Sequence, residues 1–141
     1  MADGFDIREL DEFTRDLLNM AHDLDNGKHS KKFLRKEGTK LRKETLKSAK
    51  SKVKKQSGNL FKGIKRGKVY KYDGDLAIRT YGSGNHTHLL NSGHVIKGKN
   101  GKEHGFKEGE HFFEEAERNF RDEYYNDVED WIDDLLKDHN L

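Results

Sequence analysis

The sequence predicts an α+β domain in which two N-terminal helices and one long C-terminal helix pack with a small antiparallel-rich sheet. Three observations lead there. Apolar residues recur every three or four positions near both ends, the middle switches to short β-prone runs punctuated by glycine, and Asp73-Gly74 supplies a tight turn between two of those runs. A chain of 141 residues suits one domain spanning 1–141.

The first helix is expected over about 6–25. Leu10, Phe13, Leu17, Met20/Ala21 and Leu24 share one face, acidic Asp6, Glu9, Asp11 and Glu12 complement the positive end of the helix dipole, and Asn26-Gly27 ends it. The second helix, about 30–56, takes Ser30 as N-cap and ends near Gln56. Its stripe of Leu34, Leu41, Thr45, Ala49 and Val53 lies on a lysine-rich cylinder and can bury only a seam. Gly38 inside it costs about 1 kcal/mol against alanine, which predicts a kink, a close crossing or frayed first turns.

Ser57-Gly58-Asn59 breaks the helix and opens a sheet region over 60–96. Leu60, Phe61 and Ile64 form a short apolar element, followed by strands at Val69, Tyr70, Tyr72 and at Leu76, Ile78, Thr80. A further strand is expected across Thr87-His88-Leu89-Leu90-Asn91, interrupted by Gly93 and resumed at His94-Val95-Ile96. Residues 97–109 hold four glycines among charged residues and one large apolar side chain, Phe106, the composition of a mobile loop. The last helix, about 110–138, carries Phe113, Ala116, Phe120, Tyr124, Val128, Trp131/Ile132 and Leu135 on one stripe and spans about 40 Å. Leu76, Ile78, Leu89, Phe113, Phe120 and Trp131 are the expected core.

Leu, Ile, Val and Phe number 31, or 22%, just above the roughly 20% below which highly charged chains stay disordered. A thin core follows, and with it a need for oligomerisation to add stability. No run approaches a membrane span, and Met1-Ala2-Asp3-Gly4 lacks the features of a secretory signal, so a cytoplasmic product is expected. With no cysteine there is no disulfide, thiolate zinc site, iron–sulfur cluster or cysteine nucleophile.

The net charge of +2 hides segregation: residues 1–27 carry −6, residues 28–71 carry +16, and residues 72–141 carry −8. Such asymmetry fits contact with a polyanion, with complementary copies or partners, or folding of the acidic ends over the basic middle. Thirteen lysines and arginines fall between Lys28 and Lys55, among them Lys31, Lys32, Arg35, Lys40, Arg42, Lys43, Lys50 and Lys54, the candidate basic partner surface. With Tyr70 and Tyr72 downstream, this belt could track phosphates and stack bases as a nonspecific nucleic-acid-binding module. No helix-turn-helix, RRM or zinc-finger pattern organises it. The other reading is a basic helix docked on an acidic subunit or on the chain's own acidic tail.

His86 and His88, two apart on an expected strand, project to one face and could share a metal with a third donor such as His94, His104 or His111. No carboxylate lies within the cluster and no zinc motif matches, so no resident metal is expected. Gly82-Ser83-Gly84 lacks the lysine-serine/threonine ending of a phosphate loop, Ser57 and Ser92 lack a nucleophile-elbow context, and the tail carboxylates read as a solvated helix face. The expectation is a protein without enzymatic activity or cofactor.

The order of elements resembles the tail-completion, or minor tail component, family of long-tailed double-stranded DNA phages and prophages. The likeness runs from the amphipathic opening Leu10-Asp11-Glu12-Phe13 to about Phe120. Ser57-Gly58-Asn59-Leu60-Phe61-Lys62-Gly63-Ile64 looks like that family's S/T-G-x-L-x-x-S-I turn. His86-Thr87-His88-Leu89-Leu90-Asn91-Ser92-Gly93-His94 resembles its aromatic/His-x-x-L-V-E-x-G strand, and His111-Phe112-Phe113-Glu114-Glu115-Ala116 its P-F-x-x-A helix opening. The usual proline before the S/T-G turn is absent, Gly63 stands for a serine and Asn91 for a glutamate.

The resemblance implies a structural protein that caps the head-proximal end of the tail as a ring, of six copies. It would join a tail tube protein to the head-completion or connector protein, made in the host cytoplasm and then incorporated into the virion. Lys97, Lys99, Lys102, Phe106 and Lys107 in the expected loop are the candidate assembly interface. Transient DNA contact and no membrane contact are expected.

Overall fold

The structure, a computed structural model, describes residues 7–25, 27–54, 58–84 and 86–141, with the backbone alone for Ile7 and Glu9. Asp6, Asn26, Gln56 and Ser57 lie outside the described residues. The architecture is α+β, with helices α1 (Ile7–Asp25), α2 (Lys28–Lys52), α3 (Asn59–Gly63), α4 (Thr87–Ser92) and α5 (Phe112–Asp138). Among the described residues six short strands, β1 (Ile64–Arg66), β2 (Tyr70–Tyr72), β3 (Asp75–Ala77), β4 (Thr80–Gly82), β5 (Gly93–Lys97) and β6 (Glu103–Glu108), form three separate two-stranded antiparallel ladders instead of one sheet. The chain divides into two compact units, one from residues 1–33 and 123–141, the other from 34–122.

In the 34–122 unit, β1 pairs with β4 and β2 with β3, so residues 63–83 form one interrupted hairpin. Gly67 N–H donates to the Arg79 carbonyl at 2.8 Å and Ser83 N–H to the Gly63 carbonyl at 2.8 Å, extending the outer ladder at both ends. At the tip Asp73 (φ 52°) and Gly74 (φ 86°) both adopt left-handed backbone, the geometry expected of the Asp-Gly turn. The core lies where α2 meets this hairpin and α5. Ala49, Ile64 and Phe112 are fully buried there, with Leu46, Val53, Leu60, Phe61, Leu90 and Phe113 packed around them.

Leu76, Ile78 and Leu89, expected as core, are only half-buried. Gly38 is a close crossing: a Cβ there would come within 3.0 Å of Arg66 Cγ and of Ile78 Cδ1. The Arg42 Nε–H donates to the Ile64 carbonyl at 2.9 Å, tying the same strand to α2.

Two helix starts differ from expectation. Ser30 is inside α2, not its N-cap, since the Gly27 carbonyl already accepts from Lys31 N–H at 2.9 Å. Helix α5 begins at Phe112, with the His111 carbonyl accepting from Glu115 N–H at 3.0 Å. Histidine has no short side-chain oxygen to cap that end. Buried Asn91 supplies one from elsewhere in the chain: its Oδ1 accepts from Phe113 N–H at 3.0 Å and its Nδ2 donates to Glu114 Oε1 at 3.1 Å. A second tie joins α2 to α5. Ser48 Oγ donates to Glu115 Oε2 at 2.6 Å and Lys52 Nζ lies 2.9 Å from the same oxygen, which together hold the Glu115 carboxyl below the usual range.

In the other unit, Phe33 stacks on Trp131 with centroids 4.8 Å apart and meets Tyr124 at 6.3 Å, and Leu135 is buried. Helix α1 is held along one edge, where Asp16, Met20, Asp23 and Leu24 are half-buried. Met20 and Leu24, the end of the predicted apolar stripe, lie on that edge, while its first part, Leu10, Phe13 and Leu17, is 46, 51 and 43% exposed.

The C-terminal end of α5 fastens α1 through His139. The Leu135 carbonyl faces Nδ1 at 2.8 Å and Asp23 Oδ2 faces Nε2 at 2.6 Å. Both partners accept hydrogen bonds, so both ring nitrogens carry protons and the imidazolium is the favoured form. The Asp23 contact, then the Leu135 carbonyl, raise the imidazole above its ordinary value, and the His139 contact lowers the Asp23 carboxyl.

The raised imidazole contributes fully below 6.5 and is lost as pH rises through its folded value. The lowered carboxyl contributes fully above 3.8 and is lost as pH falls through its own. The clasp is therefore strongest between pH 3.8 and 6.5. Amide exchange in α1 should accelerate from pH 6 towards pH 9 beyond the intrinsic rate, and His139→Gln should remove that excess; an unchanged profile in the variant would refute the clasp.

Candidate assembly surface

The segment expected to be a mobile loop, 97–109, is mostly a strand. β6 pairs with β5 in the register Gly93↔Glu108, His94↔Lys107, Val95↔Phe106 and Lys97↔Glu103, with a bulge between Val95 and Lys97. All six β6 residues are exposed, so backbone pairing makes the strand and no alternation of burial marks it in the sequence. Only the tip is a turn, closed by Gly98 N–H to the Lys102 carbonyl at 2.9 Å and Gly101 N–H to the Gly98 carbonyl at 3.0 Å. Gly93 (φ 95°) lets Phe106 lie across the strand: a Cβ there would stand 2.6 Å from Phe106 Cζ.

This hairpin presents Lys97, Lys99, Lys102 and Lys107 to solvent together with Val95, Ile96 and Phe106, which are 44, 42 and 62% exposed. The five candidate interface residues therefore belong to one element. Val95 and Ile96, which sequence reading assigned to a sheet, join them on its surface. At its base, Glu110 N–H donates to the Leu90 carbonyl at 2.8 Å and His111 N–H to the Asn91 carbonyl at 2.9 Å. Removing 99–101 and closing the tip with a two-residue turn should leave the midpoint of denaturant unfolding unchanged, whereas removing 98–109 should lower it sharply by deleting β6; equal effects would reject this division.

The basic belt is divided by the fold. Lys32, Arg35, Lys43, Lys50 and Lys54 are exposed, while Lys31, Lys40 and Arg42 are half-buried and Arg42 serves the Ile64 carbonyl. Within the 34–122 unit, Arg35, Lys43 and Lys50 point to one side of α2 over about 22 Å, given 1.5 Å per residue. Lys50 Nζ lies 6.0 Å from the centre of the Phe61 ring. Lys31 and Lys32 belong to the other unit.

The expected strand across Thr87–Asn91 is the short helix α4. The Leu90 N–H donates to the His86 carbonyl at 3.1 Å, and Thr87 and Asn91 are buried one turn apart. Consecutive helical residues turn by about 100°, so positions 86 and 88 diverge and do not present a shared metal face. Among the described residues no group of three His, Asp or Glu side chains could hold a metal ion. His104 lies against Gly98 at the hairpin tip, and His111 sits 3.8 Å from Glu114.

A recess of about 730 Å³ lies within the 34–122 unit, bordered by Lys54, Phe61, His86, Thr87, His94 and Lys107 among others. Thr87 Oγ1 and His94 Nδ1 are buried there without a hydrogen-bond partner.

The chain matches no family model, no curated protein and no solved structure. Its own surfaces therefore carry the functional reading. Among the described residues, no helix is long and apolar enough to cross a membrane.

Proposed function

We propose that this is a structural protein of a long-tailed phage or prophage that completes the head-proximal end of the tail and joins it, as a ring, to the head connector. One observation supports the reading best: among the described residues eleven large apolar side chains are exposed against six buried hydrophobic ones. A chain that leaves so much apolar surface outside, beside charge of both signs, is suited to burying it against other subunits. In this reading the partners are the tail tube protein, the head-completion or connector protein and further copies of the chain, six in the ring. No cofactor and no catalysis take part. The site of synthesis is the host cytoplasm and the place of work the virion.

The exposed Arg35, Lys43 and Lys50 favour a second reading, nonspecific binding of nucleic acid through α2. One experiment separates the two. Deleting the gene should leave filled heads and tails that fail to join, or tails of uncontrolled length. Normal infectious particles would reject the assembly role, and, coupled with DNA binding by the purified protein that falls steeply with salt, would establish the second reading.

A further inference from the structure

We propose that the β5–β6 hairpin of one copy docks through Val95 and Phe106 onto the Leu10, Phe13 and Leu17 face of α1 in a second copy, a basic hairpin on an acidic helix. Both surfaces are open in the single chain, with each of these five side chains more than two-fifths exposed. Their shapes suit each other. Val95 and Phe106 are directly paired across the ladder and so share one face, while Leu10, Phe13 and Leu17 make a line about 10 Å long on α1.

Charge complements this pairing. Residues 7–25 carry six acidic side chains and two arginines, whereas residues 93–108 carry four lysines and two glutamates. Residues 63–83 form a second basic hairpin, with five lysines and arginines against two aspartates, but its exposed Tyr72 pairs directly with Asp75 and is followed by Asp73, which sets acid beside the apolar face. The acidic half of α5 would repel α1 and offers the hairpin two exposed apolar side chains, Tyr125 and Ile132, where α1 offers three in line. Because the donor and acceptor surfaces differ, the contact is head-to-tail, and such a contact repeats from copy to copy and closes into a ring when the rotation permits. The inference rests on the ring reading above and gives that ring its subunit contact.

The absence of cysteine makes the test direct, because each introduced thiol is the only one in its chain. Thr14 borders the α1 stripe and His104 borders Phe106 on the hairpin, so Thr14→Cys and His104→Cys leave the apolar contact intact. When the two variants are mixed and oxidised, crossed dimers, in which a disulfide joins one variant to the other, should exceed both same-variant dimers. Asp11→Lys with Asp16→Lys in the first chain should lower the crossed yield by about fivefold. Lys102→Glu with Lys107→Glu in the second should restore it.

Crossed dimers no more abundant than same-variant ones would overturn the pairing. So would a doubly substituted chain that closes on itself at high dilution in preference to linking two copies. The readout needs no phage particle, so the two ideas fail separately: crossed linkage with normal particles after gene deletion rejects the phage role alone, and blocked joining without crossed linkage rejects this contact alone.

Discussion

Phe112→Ala should cost the 34–122 unit about 3–5 kcal/mol, the range for deleting a buried aromatic ring from a core. The ring is fully buried against Ala49 and Ile64, and half-buried Phe113 stands beside it at a centroid distance of 5.0 Å. Among the described residues three form the buried centre of this core, so few neighbours can move to close the cavity. Against a total stability of about 5–15 kcal/mol for an ordinary domain, the variant should be largely unfolded at modest denaturant. Urea unfolding followed by circular dichroism measures the loss, and Phe113→Ala, which removes a less buried ring, should cost less. A loss under about 1 kcal/mol, the cost of an ordinary surface-to-intermediate change, would show that the core lies elsewhere.

Gly109→Ala should cost about 3 kcal/mol, the upper part of the range for overpacking a close-packed site. The atoms in the way are all backbone: a Cβ at 109 would stand 2.2 Å from the Asn91 oxygen, 2.5 Å from its carbonyl carbon and 2.5 Å from the Gly93 nitrogen. None of these can rotate aside as a side chain would. Relief requires β6 to move away from the end of α4, and that motion strains the Glu110–Leu90 and His111–Asn91 hydrogen bonds that lead into α5. Gly98→Ala is the internal comparison, because a Cβ there meets only the His104 and Asn100 side chains, which can swing away. Comparable losses in the two variants would remove Gly109 from the structural framework.

Both predictions concern contacts that the sequence does not display. Phe112 falls four and eight residues before Ala116 and Phe120, so helical spacing admits either it or Phe113 to the stripe, and its full burial depends on Ala49 and Ile64, far away in the chain. Asn91 looks like a polar end of a strand until its side chain is seen capping α5. Of the candidate interface, Lys97, Lys99, Lys102, Phe106 and Lys107 were legible because charge and an isolated aromatic residue stand out among glycines. Their shared hairpin was not.

By itself, the sequence determined the long helices α1, α2 and α5, the Asp73-Gly74 turn and the charge segregation, because each depends on residues within a few positions of one another. The 3.6-residue period of α1 and α5 repeats over several turns, which averages out local exceptions, and the turn needs only two residues that accept left-handed backbone. Tertiary structure alone decided that residues 87–92 coil into α4, that residues 103–108 pair with β5, and that Leu10, Phe13 and Leu17 of the α1 stripe face outward. A six-residue segment with two leucines among polar residues, such as 87–92, fits either a helix or a strand, and its environment chooses between them. An exposed strand such as β6 is made by backbone hydrogen bonds that every residue type can form, so its side chains carry no signal. The same stripe on α1 would read identically whether it faced a core or a partner, since periodicity records that a face is apolar and only packing decides what covers it.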